Sequence, residues 1–335
     1  MRTFALYSAT TVSDAAAQLA KGNAAILAGG TDLMPARKAM ISPADPATLV
    51  NIMNIPNLSY IKEESGMLKI GATTPLVDIV NSSVVNGNYL ALAQAARAVG
   101  TPALRNMGTI AGNICQKVQC WYYRTDANMF PCLRKVSTGI CYALAGDNRY
   151  HSIFGAVSGC VAVNPSDIAP ALVAFGATKI VTNKKTWDIK DFFAVNGENT
   201  TALAADEIVT EIQVPTPAAG TKSAFVKFAL RKAIDFPIVN VAAVITSSGG
   251  TVSAANIALN AVYNLPRLAT AAGDAIKGKA INATTAAAAG TAAVGGAVAL
   301  PVNNLPINGA RFAGGNKYMI QEAQIIVKRA VLACA

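Results

Sequence analysis

The chain has 335 residues, of which 53% are hydrophobic, 14% are charged and only 1 is histidine. This length suits two domains with separate cores, and a single histidine excludes His-rich metal sites and paired-histidine catalysis from this chain alone. The formal net charge is +10, but Lys and Arg are scattered and no nucleic-acid-binding motif occurs, so we expect no nucleic-acid partner.

Short strands and helices alternate in the first third of the chain. Ser13 is predicted to cap a helix over 14–21, which ends at Gly22. A hairpin is predicted to turn at Ser65-Gly66. The predicted strands are 24–27, 48–52, 60–62 and 67–70, and the other predicted helices are 33–41, 75–80 and 89–99.

The rest of the chain predicts a second strand-rich region and a helical end. A Pro- and Gly-containing segment, 215–220, marks a boundary between two sheet-containing lobes before it and one domain of sheet and helices after it. The predicted strands are 179–182, 186–189, 207–214, 223–230, 239–246 and 252–262, and the predicted helices are 168–175, 267–276, 283–298 and 317–333.

Neither a secretory signal nor a membrane span is expected. The N-terminal residues contain no continuous apolar stretch. The uncharged run 280–310 is rich in Ala, Gly, Thr and Asn and is broken by Pro301 and Pro306. It therefore predicts a packed, Ala-rich helix and not a span.

Three polar stretches could bind a ligand. Gly29-Gly30-Thr31-Asp32 follows a predicted strand, where successive N–H groups can converge on a pyrophosphate, although a tight structural turn explains the same residues equally well. The stretch 105–113, RNMGTIAGN, could form a second wall, and two such loops favour a phosphate-bearing cofactor between them. In NPSD, residues 164–167, Ser166 or Asp167 could cap a helix, or the carboxylate could bind sugar or ribityl hydroxyls.

Five of the six cysteines lie within residues 101–172, an aromatic-rich stretch with little helical or strand periodicity. Aromatic residues at this density favour a buried loop over a disordered one. Cys120, Cys132, Cys141 and Cys160 form no C-x-x-C pair, which weakens the case for a zinc ribbon or a ferredoxin-type cluster. Four thiolates could still hold a [4Fe-4S] cluster, and disulfides or free buried thiols remain open alternatives. For His151, in the same loop, we expect a structural or supporting role.

Four stretches together resemble the FAD-binding medium subunit of the molybdenum hydroxylases, the xanthine dehydrogenase family. They are AGGTDL at 28–33, RNMGTIAGN at 105–113, PSDIAPAL at 165–172 and DFPIVNVA at 235–242. The cysteine loop resembles the [4Fe-4S]-carrying insert in the flavin subunits of 4-hydroxybenzoyl-CoA reductase and periplasmic aldehyde oxidoreductases. Two positions depart from the family: Ala111 replaces a more usual glycine, and Asn164 replaces a frequent histidine.

The resemblance implies an α+β fold. A two-lobed FAD-binding domain of the vanillyl-alcohol-oxidase/PCMH type would occupy 1–56 and 57–215, with the cysteine loop at about 115–162. A three-stranded antiparallel sheet with a helical bundle, the C-terminal domain of the CO dehydrogenase flavoprotein type, would occupy 221–335.

The resemblance also implies the binding residues. Those for FAD would be Leu27, Ala28, Gly29, Gly30, Thr31, Asp32, Leu33, Arg105, Asn106, Gly108, Thr109, Gly112, Asn113, Ser166 and Asp167, with Lys227 or Lys232 near the flavin ring or phosphates. The first loop would hold the pyrophosphate, and Asp167 would contact ribityl or ribose hydroxyls. Cys120, Cys132, Cys141 and Cys160 would ligate the cluster, and no catalytic acid or base is required.

By the same resemblance the chain is an electron-transfer oxidoreductase subunit. A large partner would carry the molybdenum cofactor and a small one two [2Fe-2S] clusters, in a heterotrimer or its dimer. FAD would pass electrons to NAD, ferredoxin, quinone or oxygen. We expect a cytoplasmic complex, or a periplasmic one where a partner carries the export signal. Two alternatives are a free-standing flavin oxidoreductase of the same fold and a zinc- or disulfide-stapled binding protein without a redox role.

Overall fold

The structure is a computed structural model that describes residues 1–302, 304–307, 310–313 and 315–335. Three larger sheets and two two-stranded ones organise these ranges. No helix within them is both long and apolar enough to cross a membrane.

The N-terminal sheet is parallel. Its strands are β1 (Ala5–Ser8), β2 (Ala24–Leu27) and β3 (Thr48–Asn51), and the helices α1 (Val12–Ala20) and α2 (Leu33–Lys38) lie between them in the chain. The strand order is β1-β3-β2, and β2 has the predicted bounds. Helix α1 begins earlier than predicted because Thr11, and not Ser13, is its N-cap: the Thr11 hydroxyl accepts a hydrogen bond from the Asp14 N–H at 3.0 Å.

The second sheet is antiparallel, and its first two strands form the predicted hairpin. Ser65 and Gly66 at its turn have φ values of +54° and +71°, which suit the right-handed twist of the flanking strands. The sheet contains β4 (Ile61–Glu64), β5 (Met67–Gly71), β6 (Lys179–Thr182), β7 (Thr186–Asp188) and β10 (Val209–Pro215), in the order β4-β5-β10-β6-β7. A separate pair is β8 (Phe193–Asn196) and β9 (Asn199–Thr201).

Short helices link the halves of the second sheet. They are α3 (Leu76–Asn81), α4 (Ser83–Asn88), α5 (Leu90–Ala98), α6 (Pro102–Met107), α7 (Ile110–Ile114), α8 (Trp121–Arg124), α9 (Ile168–Ala174) and α10 (Ile189–Phe192), with 3-10 turns at Asp126–Asn128 and Tyr142–Leu144. All seven residues of α9 are buried, so this helix lies at the centre of the molecule.

The third sheet and its helices end the chain. The strands of the sheet are β11 (Thr221–Phe228), β12 (Val239–Ser248), β13 (Thr251–Asn260) and β14 (Arg267–Leu268), and the helices are α11 (Thr270–Ile276), α12 (Ala283–Ala293) and α13 (Tyr318–Leu332). A separate two-stranded sheet contains β15 (Asn304–Ile307) and β16 (Ala310–Ala313). The sheet is antiparallel in the order β11-β12-β13-β14, so a short fourth strand accompanies the three predicted ones. Arg267 and Leu268 pair with β13, and the predicted helix therefore starts only at Thr270. Residues 303, 308, 309 and 314 of the predicted C-terminal domain lie outside the described residues.

Both faces of the third sheet are covered. Val241 and Ala243 of β12 belong to the core formed with α12 and α13, whereas Ala242 belongs to the core formed with α5 and α9. Successive strand residues point to opposite faces, so this alternation is what a doubly covered sheet requires. As a result, the stretch 235–242 is packed directly against the stretch 165–172.

Candidate functional site

The first glycine loop connects β2 to α2 and lies against the second glycine-containing stretch. A side chain at Gly29 would collide with the backbone carbonyl of Met107, and a Cβ at Gly108 would lie 3.4 Å from Thr31 Oγ1. Gly30 has φ of +70°, a conformation that glycine adopts at little cost. The two loops predicted to face a cofactor are therefore in direct contact, with Thr31 exposed.

The second stretch is held by its own hydrogen bonds. Thr109 caps α7, and its Oγ1 accepts from the Gly112 N–H at 3.1 Å. Arg105 Nη1 donates to the Val99 carbonyl at 2.9 Å, which turns this guanidinium toward the protein. Asn106 and Gly112 are exposed, whereas Gly108 and Thr109 are buried.

The third stretch joins the second one to the third sheet. Ser166 Oγ donates to Asn113 Oδ1 at 2.6 Å and accepts from the Ala169 N–H at 3.0 Å, so Ser166 does serve as a helix-capping residue. On the other side, Asn240 Nδ2 donates to Asp167 Oδ1 at 2.8 Å and Asn260 Nδ2 donates to the Ser166 carbonyl at 2.7 Å. Each of the four stretches therefore contacts the next.

Asp167 is 4% exposed and forms a buried ion pair. Lys227 Nζ lies 2.7 Å from Asp167 Oδ2 and also donates to the Ala98 carbonyl at 3.0 Å. Burial raises the pKa of Asp167, and Lys227 opposes that shift. Both carboxylate oxygens are thus engaged within the chain, and contact of Asp167 with ribityl hydroxyls stays a prediction. Lys232, the other predicted lysine, is exposed.

Asp32 connects the first glycine loop to the cysteine loop. Its Oδ1 accepts from Arg124 Nη2 at 2.7 Å and from Gln119 Nε2 at 3.2 Å, and its Oδ2 accepts from the Lys117 N–H at 3.1 Å. These partners of Asp32 were not predicted from the sequence. The sequence places the basic residues Lys117 and Arg124 close to the cysteines. That placement does not identify an acceptor that lies 85 or more residues away in the chain.

The four cysteines assigned as cluster ligands line one small cavity. They share it with the aromatic rings Tyr122, Tyr123 and Tyr142, and with Val118, Leu133, Arg134, Ala143 and Ala162. All six cysteines of the chain are free, so the disulfide-stapled alternative is wrong for this structure. In the described ranges, no group of three or more His, Cys, Asp or Glu side chains is arranged to hold a metal ion.

Burial favours the protonated form of two thiols of this cavity, Cys120 and Cys160. It raises the pKa of Cys120 to about 12 and that of Cys160 in the same direction. Metal binding requires thiolates, so cofactor insertion at this cavity would release protons.

A larger cleft lies beside the cavity and was not predicted. It encloses about 1270 Å³ including solvent at its mouth. Cys120 lines both the cavity and the cleft. The other lining residues are Gln119, Trp121, Tyr150, His151, Val163, Pro165, Leu230, Arg231, Asp235, Phe236, Pro237 and Ile238. Four segments separated in sequence build this cleft, which is why local sequence patterns did not reveal it.

Known families match most of the chain. The FAD binding domain in molybdopterin dehydrogenase matches residues 2–217, and the CO dehydrogenase flavoprotein C-terminal domain matches residues 224–305. The chain belongs to the family of FAD-binding medium subunits of molybdenum hydroxylases. This membership confirms the family-level resemblance and the prediction of an oxidoreductase subunit.

Individual members of the molybdenum hydroxylase family agree with this assignment. The aldehyde oxidoreductase FAD-binding subunit PaoB of Escherichia coli (strain K12) is 31% identical over 275 residues, 79% of this chain and 83% of that protein. The carbon monoxide dehydrogenase medium chain of Hydrogenophaga pseudoflava is 30% identical over 261 residues, 77% of this chain and 75% of its own length. A solved structure of carbon monoxide dehydrogenase from Hydrogenophaga pseudoflava aligns with a TM-score of 0.73 at 28% identity, covering 99% of this chain and 97% of that one.

Proposed function

We propose that this chain is an electron-transfer subunit of a heteromeric molybdenum hydroxylase and binds both FAD and a [4Fe-4S] cluster. The observation that carries the proposal is the arrangement of four family stretches in mutual contact beside a cavity lined by four cysteines. Substrate chemistry would belong to a large molybdenum-cofactor subunit, and a small subunit with two [2Fe-2S] clusters would deliver the electrons.

The glycine loops and the cleft fit the two ends of FAD. Bound FAD supplies a two-electron carrier that can exchange electrons one at a time. In our proposal the loops around Gly29 and Gly108 hold the pyrophosphate, because close backbone approach to phosphate requires residues without side chains. The aromatic walls of the cleft suit a planar ring. Gln119 lines the cleft and bonds to Asp32, which ties the cleft to the first loop.

The cysteine cavity fits a cluster better than a single ion. A mononuclear zinc site needs every sulfur about 2.3 Å from one point, and no such group of ligands occurs in the parts of the chain that the structure describes. In a [4Fe-4S] cluster each thiolate binds a different iron, so the four sulfurs surround a volume instead of meeting at a point. Cys120 lines both cavity and cleft, which supports electron exchange between the two cofactors.

The electron acceptor and the compartment are extensions of this proposal. We infer that FAD passes electrons to an external acceptor that is NAD, ferredoxin, quinone or oxygen. We assign the complex to the cytoplasm, or to the periplasm where a partner subunit carries an export signal.

Cofactor analysis of the anaerobically purified complex tests the proposal. We expect one FAD and about four irons assigned to this chain, after correction for the iron of the partner. Replacement of Cys132 by Ser should remove the cluster iron and leave the FAD. The matched control is Cys334→Ser, because Cys334 is also buried but lies in the core formed with α12 and α13. This control variant should keep both cofactors. FAD without the extra iron would refute the cluster, and absence of FAD would refute the flavin subunit.

The cleft also favours a second candidate, a free-standing flavin oxidoreductase with its own substrate site. Its volume would accept a small molecule beside the flavin. Asp235, the carboxylate in its wall, is engaged by Arg231, whose Nε lies 3.0 Å from Asp235 Oδ1. Reduction of the FAD by an aldehyde or aromatic substrate in the chain separated from its partners would support this candidate. Reduction only in the presence of the partners would refute it.

A further inference from the structure

His151 stands between the cysteine cavity and the large cleft. It is 2% exposed, lines the cleft, and its Nε2 lies 3.2 Å from Cys120 Sγ. We infer that His151 is a positioning residue that donates an N–H···S hydrogen bond from Nε2 to Cys120 and thereby raises the reduction potential of the cluster. This inference rests on the proposed [4Fe-4S] site.

The backbone of His151 is held by residues before and after it in the chain. The His151 N–H donates to the Asn148 carbonyl at 3.0 Å, and Asn316 Nδ2 donates to the His151 carbonyl at 2.8 Å. The Trp121 ring packs beside it, with ring centroids 6.2 Å apart. Because its backbone is fixed and the Trp121 ring lies beside it, the imidazole can keep Nε2 directed at the sulfur.

The direction of this hydrogen bond follows from the surroundings of the two ring nitrogens. Nδ1 is buried without a hydrogen-bond partner. With the proton on Nδ1, a buried donor would be unpaired and the Nε2 lone pair would face a thiolate. With the proton on Nε2, the thiolate accepts a hydrogen bond from this N–H. This tautomer therefore has the lower free energy.

A hydrogen bond to a ligand sulfur changes the potential through charge. One-electron reduction, with the electron supplied by a chemical reductant, adds one negative charge that is shared with the cysteine sulfurs. A donor directed at Cys120 Sγ stabilises the reduced form more than the oxidised form, and hydrogen bonds to sulfur are among the factors that set cluster potentials. Removal of the donor should therefore lower the ratio of reduced to oxidised cluster at a fixed solution potential.

The test is a mediated redox titration of the anaerobic complex, followed by electron paramagnetic resonance. In His151→Leu we expect that ratio to fall about three- to tenfold, where tenfold corresponds to about 59 mV for one electron. His151→Gln should restore most of the wild-type value, because its amide can place an N–H close to the position of Nε2. The control Tyr7→Phe removes a hydroxyl of β1 that donates to Asp14 Oδ1, outside both the cavity and the cleft, and should leave the potential unchanged.

The outcomes separate this inference from the function on which it rests. A wild-type complex with FAD but no cluster signal from this chain refutes the cluster and the inference together, and leaves the flavin site intact. A cluster whose potential is the same in His151→Leu and wild type refutes the inference alone. If His151→Leu loses the cluster, the His151→Gln variant decides. A cluster at the wild-type potential in His151→Gln supports the donor role. A lost cluster or a lowered potential in His151→Gln overturns it.

Discussion

Substitution of Gly29 by Ala should weaken FAD binding more than any change of comparable size elsewhere in the glycine loops. The added Cβ would collide with the carbonyl oxygen and carbon of Met107 and lie 3.1 Å from the Gly108 Cα. All three atoms belong to the backbone, so no side-chain rotation relieves the collision, and the two loops must move apart.

The magnitude follows from the cost of overpacking. One extra methyl group in a packed site costs about 1–3 kcal/mol. If that displacement falls on the loops that bind the pyrophosphate, Kd for FAD rises about 5- to 140-fold, because about 1.4 kcal/mol corresponds to a tenfold change.

Titration of FAD into the protein stripped of its flavin, followed by flavin fluorescence, measures this effect. The matched control is Gly87→Ala in α4, where a Cβ meets nothing within 4 Å; its Kd should equal that of the wild type. Thermal unfolding without FAD distinguishes lost affinity from lost folding. A folded Gly29→Ala protein that binds FAD with the wild-type Kd would refute the assignment of this loop contact to the pyrophosphate site.

Three further predictions concern the residues around the site. Lys227→Met should lower the free energy of unfolding by about 3–5 kcal/mol, because it leaves the buried Asp167 carboxylate without its cation. Denaturant titration measures this loss. The double variant Asp167→Asn with Lys227→Met should recover most of the lost stability. Cys334 should react with iodoacetamide at pH 8 about a thousandfold more slowly in the folded than in the unfolded protein, since burial raises its pKa from 9.0 to about 12. Peptide mass spectrometry with and without urea measures the ratio of the two alkylation rates. Asp32→Asn should speed limited proteolysis within residues 115–162, because Arg124 loses its charged partner.

Each of these predictions can fail clearly. An unchanged unfolding free energy in Lys227→Met would mean that the ion pair is not buried in solution. Equal alkylation rates of Cys334 with and without urea would contradict its burial in the core formed with α12 and α13. Unchanged cleavage in Asp32→Asn would mean that other contacts fix the cysteine loop.

Elements whose formation depends on neighbours in sequence were predicted well. Residues 24–27 form a strand with the predicted bounds, and the hairpin turns at the Ser65-Gly66 pair, whose positive φ values such a turn requires. The strand Ala5–Ser8 was missed because its partner strand β3 lies more than 40 residues away and three of its four residues are exposed. The helix Ser83–Asn88 was missed because Val84, Val85 and Gly87 are weak helix formers, and the Ser82 cap compensates only in the folded chain.

The candidate site, too, was predicted only where it depends on neighbours in sequence. Its glycine stretches and cysteines were identified because each is a local pattern of residues. Their mutual contacts were not, since Gly29 meets Met107 and Asp32 meets Arg124 across 78 and 92 residues respectively. The cleft draws on segments near residues 120, 150, 165 and 235, and no periodicity in the sequence connects them.

The hydrogen bonds of Asp32 change how its place in the first motif is understood. The Asp32 carboxylate accepts its hydrogen bonds from the cysteine loop. Oδ1 accepts from Arg124 and Gln119, and Oδ2 accepts from the Lys117 N–H. A carboxylate in this position would also repel a pyrophosphate unless cations and N–H donors neutralise it. The cysteine loop supplies that neutralisation, so the loop that would carry the cluster also makes the glycine loop compatible with an anionic cofactor. The two proposed cofactor sites are therefore coupled through one side chain, and weakening the loop should weaken flavin binding as well.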